Sequence, residues 1–145
     1  MNRLYGFLLC IFFSFTALAQ KYDSWTIYNN RKPTGSFNLK KETDDDRRVV
    51  LLNRNLDGPG FFVIEFTPKK DQADWIRNIA FYDSTGRSLR QYNNTLFLRI
   101  LNSEISGILE GRQGVKVYSW AVPKDPAEAA TVPERRILLC TIYTR

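Results

Sequence analysis

The sequence predicts a β-dominant fold, an antiparallel β-sandwich of about nine short strands with one short helix. Two observations carry this expectation. Polar and apolar residues alternate with a period of two through most of the chain, and turn residues recur at intervals of roughly ten. A third, the lack of regular helices between those segments, argues against a parallel α/β sheet. A partly closed β-barrel satisfies the same spacing and stays open as the alternative.

The first strand is Ser24–Tyr28, followed by a turn at Lys32-Pro33-Thr34-Gly35 and a second strand at Ser36–Lys40. Asp44-Asp45-Asp46 reads as a solvated turn leading into a third strand, Arg47–Leu52. Asp57-Gly58-Pro59-Gly60 is the strongest turn signal, since its glycines and proline supply backbone angles that other residues resist. Phe61–Phe66 is aromatic and β-branched, as strands prefer.

Lys69–Ile76 loses the alternation and reads as a loop or single helical turn, with Trp75 and Ile76 turned inward. Asn78–Tyr82 and Ser88–Tyr92 then pair as a hairpin across Asp83-Ser84-Thr85-Gly86, where Asp bonds the nearby backbone and Gly takes a positive φ. Thr95–Leu101 places Leu96, Leu98 and Ile100 on one face and Phe97, Arg99 and Leu101 on the other.

The helix is expected at Ser103–Glu110, with Ser103 as N-cap and Gly111 as stop. Val115–Val122 is a strand, with Val115, Val117 and Ala121 opposed to Tyr118, Trp120 and Val122. Pro123–Glu134 is a long connection with room for a helical turn at Ala127–Ala130. Arg135–Tyr143 is the last strand, and its place near the chain end makes it a candidate sheet edge.

Residues 1–19 read as a cleavable signal peptide: Arg3, an apolar stretch from Leu4 to Phe15, then Ala17-Leu18-Ala19 before Gln20. The stretch turns polar before the roughly 20 residues that a membrane span needs. Residues 20–145 then form a single domain. Cys10 leaves with the leader and Cys140 stays alone in the apolar run Ile137–Ile142, where it reads as a buried, inert thiol. Export without an intramolecular disulfide fits a bacterial periplasm or cell surface.

The chain has no histidine. That removes histidine-dependent nucleophile systems, most zinc sites and the usual base near neutral pH. Phosphate-binding loops, dinucleotide fingerprints and nucleophile elbows are also missing, so no cofactor, metal or catalytic residue is assigned. The consecutive acids at Asp44–Asp46 lack the alternate spacing of a calcium loop. Carboxylate chemistry stays open in principle, with Glu65 inside an aromatic strand as the first residue to consider.

The net charge of +6 is spread among interleaved acids. Nucleic acid is not the expected partner, since that would need a denser basic face with stacking aromatics. Large aromatics are expected mainly in the core. Tyr118 and Trp120 share a strand face, though, and Tyr92 and Tyr143 are placed to extend it into an aromatic surface. Pro123, Pro126 and Pro133 pre-order the long connection, as suits a recognition loop. Tyr118, Trp120, Pro123, Pro126, Pro133 and Tyr143 are therefore the candidate partner-binding residues. The expected function is a non-catalytic exported binding module that contacts another envelope protein or a glycan. The alternatives are a carboxylate-dependent hydrolase of envelope polysaccharide and an inhibitor of an exported hydrolase.

Overall fold

The computed structural model describes residues 22–40, 47–70 and 72–145. The expected signal peptide and the Asp44–Asp46 turn lie outside the described residues. Nine strands form two sheets that do not close into a barrel: β2-β1-β4-β7 and β3-β9-β8-β5-β6.

The four-stranded sheet contains β1 (Ser24–Asn29), β2 (Lys32–Asn38), β4 (Phe61–Thr67) and β7 (Phe97–Leu101), antiparallel throughout. β1 and β2 are joined tightly by Asn30 and Arg31, whose φ values of 51° and 68° are those of a two-residue hairpin turn. The turn thus precedes the expected Lys32–Gly35 segment. Pro33 and Gly35 belong instead to an edge strand, opposite an irregularity at Ile27/Tyr28. Proline is tolerated there because an edge strand has one side without ladder bonds.

The five-stranded sheet contains β3 (Arg48–Leu51), β5 (Trp75–Tyr82), β6 (Ser88–Tyr92), β8 (Val115–Pro123) and β9 (Ile137–Thr144). Two expectations need correction here. β9 is not an edge: it lies between β3 and β8, and Ile137 through Ile142 are all buried. Its unbroken apolar run fits a strand covered on both faces better than an exposed edge. The sandwich is also not purely antiparallel, because β3 runs parallel to β9. The chain between Leu51 and Ile137 is long enough for the crossover that a parallel pair requires.

The β5–β6 hairpin follows its residues closely. Asp83 Oδ1 accepts from the Thr85 N–H at 2.9 Å, the Thr85 hydroxyl at 2.6 Å and the Arg87 N–H at 3.0 Å. Gly86 takes a φ of 84°. These bonds, that from the Thr85 hydroxyl first, hold the Asp83 carboxyl below its usual pKa. Trp75 is not tucked inward: it opens β5 with 36% of its surface exposed.

Three short helices complete the chain: α1 (Asn53–Leu56), α2 (Asn102–Leu109) and α3 (Pro126–Ala129). α1 was not expected. α2 starts one residue before the expected helix, with Leu101 at the N-cap and no side-chain cap, so Ser103 does not cap it. Gly111 follows its end at a φ of 69°, as a stop should. Asp125 caps α3 by accepting from the Ala127 N–H at 2.9 Å.

Trp25, Ile27, Phe62, Ile64, Phe66, Leu98 and Ile100 from one sheet meet Val49, Leu51, Ile79, Phe81, Val115, Val117 and Ile142 from the other. α2 adds Ile105, Ile108 and Leu109. Cys140 is fully buried, and burial pushes its thiol pKa up.

Candidate functional site

The expected site residues do not converge. Tyr118 and Trp120 lie together on the outer face of the five-stranded sheet, where Tyr118 meets Tyr82 edge-on at 5.6 Å. The Arg136 guanidinium sits 5.2 Å from the Trp120 ring and 5.5 Å from that of Tyr82. Trp120 is only 5% exposed. Tyr143 is half-buried with Arg48 stacked over it at 4.5 Å. Tyr92 does not extend this surface: it pairs with Ile79 on the inner side of β5 and meets Phe81 edge-on at 6.1 Å. Pro123 is buried at the end of β8, and Pro126 is exposed in the first turn of α3. Pro133 lines a separate opening with Trp75 and Val132. The Lys124 N–H donates to the Asp74 carbonyl at 2.9 Å, so the long connection is tied to the segment before β5.

A different surface brings recognition chemistry together. On the four-stranded sheet the strand period sends Ile27, Phe62, Ile64, Leu98 and Ile100 inward, and Tyr28, Phe61, Val63, Glu65, Phe97 and Arg99 outward. The outward set lines an open groove of about 850 Å³, with Asn30, Arg31, Pro59 and Gly60 at one end. Register places Phe97 opposite Glu65, Arg99 opposite Val63 and Leu101 opposite Phe61.

The polar groups of the groove have defined positions. The Arg99 guanidinium lies 3.6 Å from the centre of the Phe61 ring, a cation–π contact. It has no carboxylate within ion-pair distance among the described residues. The Tyr28 hydroxyl donates to Glu65 Oε2 at 3.4 Å. Phe97 and Leu101 are 56% and 53% exposed, more than any other large hydrophobic among the described residues. Exposed hydrophobics scattered singly need no explanation, whereas contiguous ones rimmed by polar groups mark interaction surfaces.

Behind the groove a buried polar hub fixes the end of β7. Asn102 Oδ1 accepts from Asn29 Nδ2 at 3.2 Å. Its Nδ2 donates to Asn30 Oδ1 at 2.8 Å and to the Asn55 carbonyl at 3.0 Å. The Asn102 N–H donates to the Gly60 carbonyl at 3.0 Å. These bonds tie the β1–β2 turn, α1 and the Gly60 turn to the point where β7 becomes α2. The residues of the groove thus stand on a rigid support.

The strand period places Phe97, Arg99 and Leu101 on one face, and that face is the one the structure leaves in water. Arg99 was the available signal, since a charge at the centre of a strand belongs on the solvent side. Glu65 is the one carboxylate on the groove wall. Among the described residues no three His, Cys, Asp or Glu side chains cluster as metal ligands. No helix among them is long and apolar enough to cross a membrane. Comparison with protein-family models, with characterised proteins and with solved structures found no match for the chain.

Proposed function

We propose that this protein is an exported, non-catalytic interaction module that contacts another envelope protein through the outer face of its four-stranded sheet. The observation that carries the reading is the exposure of Phe97 and Leu101 on either side of Arg99, beside an aromatic groove. An apolar patch with one charge at its centre suits a protein partner, because apolar contact supplies affinity and the charge sets orientation. The hydrolase alternative needs two carboxylates at a defined separation, and the groove wall carries Glu65 alone.

A glycan is the second reading. Tyr28, Phe61 and Phe97 offer ring surfaces beside Glu65, Asn30 and Arg99, a mixture of apolar platforms and polar groups that suits a sugar.

Affinity capture from an envelope extract separates the two, with the purified exported protein as bait and mass spectrometry as readout. A protein captured by the native chain and lost with Phe97→Ser/Leu101→Ser supports the protein reading. Loss only when Pro123–Glu134 is replaced by a short Gly/Ser link moves the site to that connection, as the inhibitor alternative requires. Retention on glycan beads with no protein captured supports the sugar reading.

A further inference from the structure

β7 is an edge strand: β4 lies on one side of it and no described strand on the other. The ladder determines which backbone groups face outward. The Phe66 N–H donates to the Leu96 carbonyl at 2.8 Å, and the Asn102 N–H to the Gly60 carbonyl at 3.0 Å. In an antiparallel pair the bonded residues alternate, so Leu98 and Ile100 bond to β4 between these two points. The N–H groups of Phe97, Arg99 and Leu101 and the carbonyl of Arg99 therefore point away from the sheet. Their side chains are the exposed ones of the groove face.

We propose that this edge accepts an extended peptide as an added β-strand with the pattern apolar-x-acidic-x-apolar, its acid opposite Arg99 and its apolar residues opposite Phe97 and Leu101. The inference rests on the reading of this face as the recognition surface and names the class of partner. Backbone pairing supplies affinity in such complexes, and alternate side chains supply specificity. Here the outward amides and outward side chains belong to the same three residues, so pairing along the edge brings the partner's side chains directly opposite them. Arg99, with no carboxylate partner among the described residues, supplies the charge to be complemented.

The other edges differ in ways that blunt pairing. β2 carries Pro33 and faces an irregularity in β1. β3 is four residues long. β6 carries Arg90, already paired with Glu104 at 3.3 Å. Such devices protect sheet edges from adventitious partners, and β7 shows only Arg99 between two apolar side chains. A second copy of this chain is the less suitable occupant. Antiparallel pairing in full overlap would set Arg99 against Arg99, and like charges directly opposite are destabilising.

The test uses fluorescein-labelled peptides of sequence Thr-Val-Thr-Glu-Thr-Val-Thr, with central Lys and with central N-methyl-Glu as comparisons, titrated with the purified protein at low salt and read by anisotropy. The Glu peptide is expected to bind about tenfold more tightly than the Lys peptide, and Arg99→Glu to reverse that preference. N-methylation, which removes one backbone donor and keeps the charge, is expected to abolish binding. It needs no protein variant, so the test stands even if Arg99→Glu fails to fold. Equal binding of all three peptides, no binding, or concentration-dependent dimerisation through β7 would overturn strand addition. If it falls while Phe97→Ser/Leu101→Ser still abolishes capture of the envelope partner, the recognition face stands without it; if capture is unaffected too, both fall.

Discussion

The indole N–H of Trp25, on β1, crosses the sandwich to donate to the main-chain carbonyl of Leu139, on β9, at 2.8 Å. The register of β8 with β9 shifts beside Leu139, which has no partner on β8. β3 begins pairing only at Thr141, so the carbonyls of Leu138 and Leu139 lie beyond that ladder too. Arg47 Nη1 takes the Leu138 carbonyl at 2.7 Å, and its guanidinium lies 5.2 Å from the Trp25 ring. Two side chains thus take carbonyls of a central strand at a point where β3 has not yet begun to pair and the register with β8 breaks.

Trp25→Phe should therefore cost more than its change in volume suggests. Leaving the buried Leu139 carbonyl unsatisfied costs about 1–3 kcal/mol, and the smaller ring adds a cavity penalty. A loss of roughly 2–4 kcal/mol in urea denaturation, with an unchanged m value, is the expected outcome. A loss under about 0.5 kcal/mol, the range of an ordinary surface substitution, would show that the bond contributes nothing.

Gly60 has a φ of 156°, and a Cβ there would stand 2.0 Å from Asn30 Oδ1 and 2.7 Å from Asn102 Nδ2. Gly60→Ala must displace the asparagine hub as well as strain the backbone, so a loss of about 2 kcal/mol or more is expected. Asn30→Ala in the same chain removes the nearest obstacle. The double variant should then lose less than the sum of the two single ones in thermal or urea unfolding, whereas strict additivity would place the cost in the backbone alone.

Much of this architecture was legible in the residues, for identifiable reasons. The Asp83–Gly86 turn, the Phe61–Phe66 strand and the Gly111 stop are each written in local chemistry, and all appear as expected. What local chemistry leaves open is placement. Ile137–Ile142 announces burial on both faces, but only the pairing of β9 with β3 and β8 shows it to be central. On β7 both faces carry large apolar residues, Leu98 and Ile100 on one and Phe97 and Leu101 on the other, so Arg99 is the one residue of the strand that marks the wet side. Tyr118 and Trp120 were rightly placed on a shared face, yet Arg136 stacks over Trp120 from outside their strand.

Cys140 offers a probe of global opening. Its thiol is fully buried, and burial pushes its pKa upward, away from the reactive thiolate. A thiol reagent at mildly alkaline pH should modify Cys140 no faster than the chain unfolds, and at full speed in denaturant. Where reclosing outpaces labelling, the rate should rise about tenfold for every 1.4 kcal/mol of stability that Trp25→Phe removes. Rapid labelling of the native protein would show that β9 opens locally.

The last prediction concerns alkaline pH. Tyr92 packs against the core and donates to Glu104, which also pairs with Arg90 at 3.3 Å. Burial first, then the bond to Glu104, raises the Tyr92 pKa from 10.0 to about 12. The folded state therefore holds the phenolic proton more tightly than the unfolded chain does. The resulting stability is fully present below pH 10.0 and is lost as the pH rises through about 12. Tyr92→Phe cannot titrate, so the stability difference between native and variant chains should narrow across that window. Ultraviolet titration should show one phenolate missing from the late phase of the variant. A constant difference would mean that Tyr92 ionises alike in the folded and unfolded chains.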